Sequence, residues 1–127
     1  MKVLVTGGAG FLGKYVIKEL ADKSYNDIVV VRSKDYDLRS CQDTYRMFAD
    51  HGPDAVIHLA AVVGGIGANK ENPGRFFYDN MMMGLNIIEG SRLYNVKKFV
   101  QVGTVCSYPK YCTVPFQEKD MWSGYPE

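Results

Sequence analysis

Three glycines at three-residue intervals, Gly7, Gly10 and Gly13, stand in the stretch Thr6-Gly7-Gly8-Ala9-Gly10-Phe11-Leu12-Gly13. The chemistry open to that spacing is phosphate binding. Between a strand and a helix the three glycines act differently, since one permits the tight turn, one lets a pyrophosphate approach the backbone, and one lets helix and strand pack closely. The pyrophosphate then rests on the unpaired amides at the positive end of the helix. A plain glycine-rich connection has the same letters. The position at the start of the chain, straight after Val3-Leu4-Val5, favours the nucleotide reading. About twenty residues further on, a dinucleotide-binding chain places an acid on the ribose of NAD or a basic group on the 2′-phosphate of NADP. Arg32 and Lys34 hold that position, ahead of Asp35 and Asp37. Two solvated bases on a surface loop are the alternative. Beside the glycine motif, the pair points to NADP.

Other reactive side chains are sparse. Cys41, Cys106 and Cys112 are an odd number without a framework spacing, and no close cysteine pair has histidines to match, so neither a disulfide framework nor a metal site is expected. His58 lies inside an apolar run and reads as a packed, hydrogen-bonded core histidine, while His51 reads as a helix-end residue. Met81 to Met83 read as core or interface.

The elements that must position these groups alternate in type. Val3-Leu4-Val5 is the first strand, and Phe11, Leu12, Tyr15, Val16 and Leu20 lie along one face of the helix that follows. The β-branched run 27–32 is a second strand of the kind covered on both faces. Ser40, three residues before Asp43, caps a helix with apolar contacts at Tyr45, Met47 and Phe48 that stops at His51-Gly52-Pro53. Residues 54–61 form a third strand, and the glycine-rich loop 62–67, which opens no helix with the first motif's spacing, is read as facing a ligand and not as a second phosphate cradle. Asn72-Pro73 starts a long helix whose inward stripe is expected at Phe77, Met81, Leu85 and Ile88, with Gly84 and Gly90 marking close packing or ligand access. Residues 97–103 are the fourth strand, and 104–127 a loop region with at most a short helical turn. The expectation is an α/β fold: a Rossmann-type, doubly wound parallel sheet, partial, with about four strands in the order 3-2-1-4 and flanking helices. Ligand sites then fall at the carboxyl ends of the strands, in 7–13, 32–38, 60–67 and 103–109.

With 127 residues, 46% of them hydrophobic, the chain is long enough for one core and too short for two domains. Its net charge of +1 is scattered, which excludes a nucleic-acid stripe and favours a small-molecule ligand. The amino end is neither a signal peptide nor a membrane span, and the cysteine usage fits a reducing setting. A soluble, cytoplasmic protein without a membrane or nucleic-acid partner is expected.

Four segments resemble the extended short-chain dehydrogenase/reductases: Thr6 to Gly13, His58-Leu59-Ala60-Ala61-Val62-Val63-Gly64-Gly65-Ile66, Asn80 to Met83 with Asn86-Ile87-Ile88, and Gly103-Thr104-Val105-Cys106-Ser107-Tyr108-Pro109-Lys110. More narrowly they are similar to the members that epimerise GDP-4-keto-6-deoxy-D-mannose and reduce it to GDP-L-fucose with NADPH. Many relatives share the glycine motif. The 62–66 loop and the strand end carrying Cys106 are the narrower marks. The resemblance spans nearly the whole chain and implies NADP as cofactor and a GDP-sugar as substrate. It puts Gly7, Gly8, Ala9, Gly10, Phe11, Leu12 and Gly13 on the cofactor, Asp37 and Leu38 on its adenine side, Leu59, Ala60 and Ala61 on its nicotinamide side, and Asn80 on the helix beside the active site. It puts Thr104 on the 4-keto oxygen of the sugar and makes Cys106 the group that exchanges protons during epimerisation. The plainer roles are a strand-end cap for Thr104, a packed thiol for Cys106 and local packing for Asn80.

The resemblance also implies a homodimer through the 73–95 helix. The Tyr-x-x-x-Lys pair that serves reduction, and the sugar-nucleotide domain, are expected after Glu127. Residues 1–127 then make an NAD(P)-binding domain incomplete at its C-terminal side and inactive alone, whose fourth strand exposes Phe99 to Val102 and favours association. Two other readings are another NAD(P)-dependent sugar-nucleotide epimerase or dehydratase, and a non-catalytic nucleotide-binding module.

Overall fold

A computed structural model describes residues 1–126. Four parallel strands form one sheet: β1 (Val3–Thr6), β2 (Ile28–Val31), β3 (Ala55–His58) and β4 (Lys98–Gln101). They are connected through α1 (Phe11–Asp22), α2 (Cys41–His51), α3 (Ile66–Glu71) and α4 (Pro73–Leu93), and two short 3-10 turns follow β4 at Val105–Ser107 and Glu118–Asp120. The α/β class and the parallel sheet are as expected from the alternating pattern.

The strand order is not. The sheet runs β2-β1-β3-β4, so β3 lies across β1 from β2 instead of beyond β2. Val3 pairs with both Ile28 and Ala55, which makes β1 an interior strand, as β3 is, and its side chains are the most thoroughly buried of the four. The reason lies in what the second crossover must cover. Met47 and Phe48 of α2 share one core with Leu4, Val56, and Met83 and Ile87 of α4. That core sits on one face of β1 and β3, so the chain returning from α2 arrives beside β1. On the other face Val3, Val5 and Ala55 pack with Leu20 of α1.

Local signals set most boundaries. Ser40 Oγ accepts the amide of Asp43 at 3.2 Å, and Gly52 closes α2 in the left-handed region with its amide on Phe48 O at 2.8 Å. The 62–67 loop leads into a short helix without the spacing of the first glycine motif. Gly65 precedes α3, whose first turn is held by Asn69 Nδ2 donating to Gly64 O and Gly65 O. Asn72 then serves the end of α3, donating from Nδ2 to Ala68 O at 3.2 Å, and does not cap α4 with its side chain.

The stripe Phe77, Met81, Leu85 and Ile88 of α4 faces outward, with Phe77 69% exposed. The buried face is Asp79, Met83, Asn86, Ile87 and Gly90, roughly opposite on a helix of about 3.6 residues per turn. Apolar periodicity selects the wrong side here because two inward positions are polar and find partners: Asn86 Nδ2 donates to Leu38 O at 2.9 Å, and Asp79 pairs with Arg39. The outer turn of α1 is likewise open, with Phe11 83% exposed and Leu12 and Tyr15 also outside. Of the two α4 glycines, Gly90 marks close packing, since a Cβ there would lie 2.3 Å from the Phe48 ring, whereas Gly84 has nothing within 4 Å.

Candidate nucleotide-binding cleft

The carboxyl ends of β1, β2 and β3 open into a cleft of about 1100 Å³. Its floor is the glycine turn. Gly7 sits at φ +69°, and a Cβ on it would meet the Ala60 amide at 2.7 Å, so the turn rests on the backbone after β3. Gly13 is held tighter still: its Cβ would stand 2.4 Å from Gly7 O and 2.5 Å from the Gly8 backbone, which is how α1 starts so close to β1. Gly10 precedes α1 with no side-chain cap, and the first turn has no acid. The amides there are available to an anion.

One wall comes from the loop after β2, where Arg32, Lys34, Asp37 and Leu38 line the cleft. Arg32 makes no ion pair among the described residues, and Lys34 meets only Asp35, at 3.8 Å and well solvated. Arg39 is tied down by contrast. It reaches Asp37 through Nε at 3.0 Å and Nη2 at 2.8 Å and Asp79 through Nη1 at 3.3 Å. Hydrogen bonds from Arg39 hold the Asp37 carboxyl below the usual range, and the two acids, Asp37 foremost, raise Arg39 in turn. The Asp79 Oδ2 atom is buried without a hydrogen bond and lies 3.5 Å from Arg75 Nε.

The opposite wall is Leu59, Ala60, Ala61 and Val62. Asn80 does not line the cleft. Its Oδ1 accepts the Val62 amide at 2.8 Å and its Nδ2 donates to Val62 O at 2.9 Å, so it fixes the path of that wall from behind. Thr6, in the floor, is bonded through Oγ1 to His58 Nδ1 at 2.6 Å. His58 is 3% exposed, and burial pushes its imidazole below the ordinary value.

Most of the residues singled out from sequence meet here: Gly7, Ala9, Gly10, Phe11, Leu12, Arg32, Lys34, Asp37, Leu38, Leu59, Ala60 and Ala61. Gly8 and Gly13 support the turn without facing the cleft, Gly8 lying under Val30 and Ile17. Thr104 and Cys106 lie apart, after β4, both exposed; Thr104 Oγ1 accepts the Cys106 amide at 3.2 Å, and Cys106 is not a packed thiol. Sequence reasoning missed Arg39, Arg75 and Asp79. An acid on the inward face of a helix, two turns from another polar inward position at Asn86, was the available signal.

Comparison with known proteins agrees with this architecture. The model of the NAD dependent epimerase/dehydratase family matches residues 3–126. The chain belongs to that family. Members similar to it include a GDP-L-colitose synthase of Yersinia pseudotuberculosis, 35% identical over 98% of this chain and 40% of that protein, and a GDP-L-fucose synthase of Dictyostelium discoideum, 38% identical over 98% and 39%. A solved GDP-L-fucose synthetase of Naegleria fowleri bound to NADP superposes with a TM-score of 0.83 at 32% identity, covering 98% of this chain and 37% of that one. The chain thus spans about two fifths of the length of the curated family members it matches. No helix among the described residues is long and apolar enough to cross a membrane.

Proposed function

We propose that this chain is the NADP-binding part of an enzyme of the GDP-L-fucose synthase kind, acting on a GDP-4-keto-6-deoxy sugar by epimerisation and reduction. The observation that carries the reading is the meeting, in one cleft, of the uncapped start of α1 with Arg32 and Lys34. The residues fit the cofactor. Gly7 and Gly13 keep the turn bare and close to β3, the α1 amides suit a pyrophosphate, and two bases without strong partners suit a phosphomonoester. The names of similar proteins, among them one solved with NADP, support the same choice.

NADPH, when bound, supplies a hydride. The chain's own part is to hold and to move protons. Thr104 Oγ1 accepts from the Cys106 amide, which leaves its hydroxyl proton free to donate to a keto oxygen. As thiolate, Cys106 takes a proton from a carbon beside that ketone and becomes a thiol, leaving the enolate whose oxygen Thr104 holds; the proton that enters on the opposite face comes from a second acid outside these residues. The proton for the alkoxide formed on reduction belongs to a tyrosine–lysine pair outside these residues. Tyr94 and Lys98 have the spacing, but Tyr94 ends α4 and Lys98 lies in β4. In this reading residues 1–127 are one NAD(P)-binding domain that is completed on the β4 side and does not reduce the sugar alone. The outward stripe of α4 is its dimer surface, and three free cysteines fit a cytoplasmic setting.

Fluorescence titration with NADPH and NADH tests the reading. Tighter binding of NADPH is expected, and equal affinities overturn the NADP assignment.

A further inference from the structure

His58 is the one buried imidazole near the cleft, and the chemistry proposed above makes no use of it. It pairs in register with Thr6 across β1 and β3. Its Nδ1 lies 2.6 Å from Thr6 Oγ1, and the same hydroxyl accepts the Ala60 amide at 3.3 Å. Ala60 in turn is the backbone against which Gly7 is packed. A continuous path therefore runs from His58 through the Thr6 hydroxyl to the Ala60 amide and the glycine turn. Its first two members are inside, Thr6 fully buried and His58 nearly so, while Ala60 and Gly7 are partly buried and line the cleft.

Donor and acceptor roles follow from that path. Thr6 Oγ1 has one lone pair engaged by the Ala60 N–H, and its own proton needs an acceptor in a place water does not reach. Nδ1 is the acceptor at hand, so the imidazole is neutral with its proton on Nε2. Without that acceptor the Thr6 hydroxyl turns to another one, and the Ala60 amide loses its fixed partner. What shifts is the seam between the glycine turn and the wall at Leu59 to Ala61. The loop after β2, with Arg32, Lys34, Asp37 and Leu38, is not part of the path.

We infer that His58 is a positioning residue for the dinucleotide, fixing through Thr6 the spacing between the Gly7 turn and the Ala60 wall. The inference rests on the nucleotide reading of the cleft, and it concerns the half of the ligand that spans the turn. The adenosine end, held by the loop after β2, is independent of it.

Two ligands separate the halves: NADPH, and adenosine 2′-monophosphate, which carries the adenosine and its 2′-phosphate but no part of the pyrophosphate. In the 127-residue chain, His58→Leu keeps an apolar side chain in a buried place but removes the acceptor. It should weaken NADPH by about tenfold, the scale of one buried hydrogen bond, and leave the monophosphate within twofold. Thr6→Val should do the same. His58→Asn restores an acceptor near the Nδ1 position while leaving a void, and so should recover most of the NADPH affinity although it lowers thermal stability. Nitrogen-15 NMR of the unsubstituted chain should show the Nε2–H tautomer. Equal losses for both ligands, no loss in His58→Leu, or failure of His58→Asn to recover binding overturns the positioning role. If the unsubstituted chain binds neither ligand, the nucleotide reading of the cleft falls, and this inference with it.

Discussion

The carboxyl ends of β1 and β4 lie on one edge of the same sheet and are built in opposite ways. After β1 the chain turns through Gly7 and Gly13 under backbone contacts too close for any side chain, and Thr6 is fully enclosed. After β4, Gly103 has nothing within 4 Å of a Cβ, and Thr104 to Ser107 are exposed. The first end is shaped by atoms of this chain: β2, β3, α1 and α4 all contribute to its cleft or its support. The second has β3 on one side only, and β4 presents Val100, 38% exposed, at the sheet edge. A nucleotide site demands a bare, rigid turn beside a helix start, and the β1 end meets that demand. The proton transfer proposed for Thr104 and Cys106 would demand a walled pocket around them, and the described residues leave both exposed.

The sharpest way to break this comparison is to put the same kind of change at both ends. Gly13→Val drives a side chain into the Gly7 and Gly8 backbone, which cannot yield as a flexible side chain would. Dinucleotide binding should be lost and unfolding free energy should drop by about 3 kcal/mol or more, read by titration and by urea denaturation. Next in size is the basic wall. Arg32→Ala and Lys34→Ala should each weaken NADPH by about 1.5 to 3 kcal/mol if each makes one charge-assisted contact, with little effect on NADH. Comparable losses for both nucleotides would remove the two bases from phosphate recognition.

A smaller effect comes from His58. Its folded value is depressed by burial, so below the ordinary 6.5 the unfolded chain binds a proton that the folded chain refuses. Stability should fall as pH drops from about 6.5 until the folded value is reached, with a slope of at most about 1.4 kcal/mol per pH unit. The difference between the unsubstituted chain and His58→Leu across pH 5 to 7, roughly the histidine window, isolates this proton. A flat difference would contradict a neutral buried imidazole. The smallest effect belongs to the open end: Gly103→Val should change stability by less than about 0.5 kcal/mol, in contrast to Gly13→Val.

What was legible in the sequence follows the same division. The glycine turn, the Ser40 cap and the Gly52 stop could be read because each is a local event with a local cause, completed within a few residues. The strand order could not, because it depends on which face of the sheet α2 must cover, and Met47 and Phe48 do not name their partners Leu4 and Ile87 in advance. The inward face of α4 escapes the apolar pattern for a related reason. Asp79 and Asn86 are inward and polar, and only the tertiary arrangement brings Arg39 and the Leu38 carbonyl to them. Within the site, bases expected from spacing, Arg32 and Lys34, do line the cleft. Arg39 and Arg75 were missed because their place is set by that same buried acid.

The most direct test of the account is amide NMR of the 15N-labelled chain titrated with NADPH. The largest shift changes should fall in Gly7 to Leu12, Arg32 to Leu38 and Ala60 to Val62, around the turn, the basic wall and the wall after β3. Changes concentrated after β4, in 105–126, with the glycine turn unmoved would contradict it.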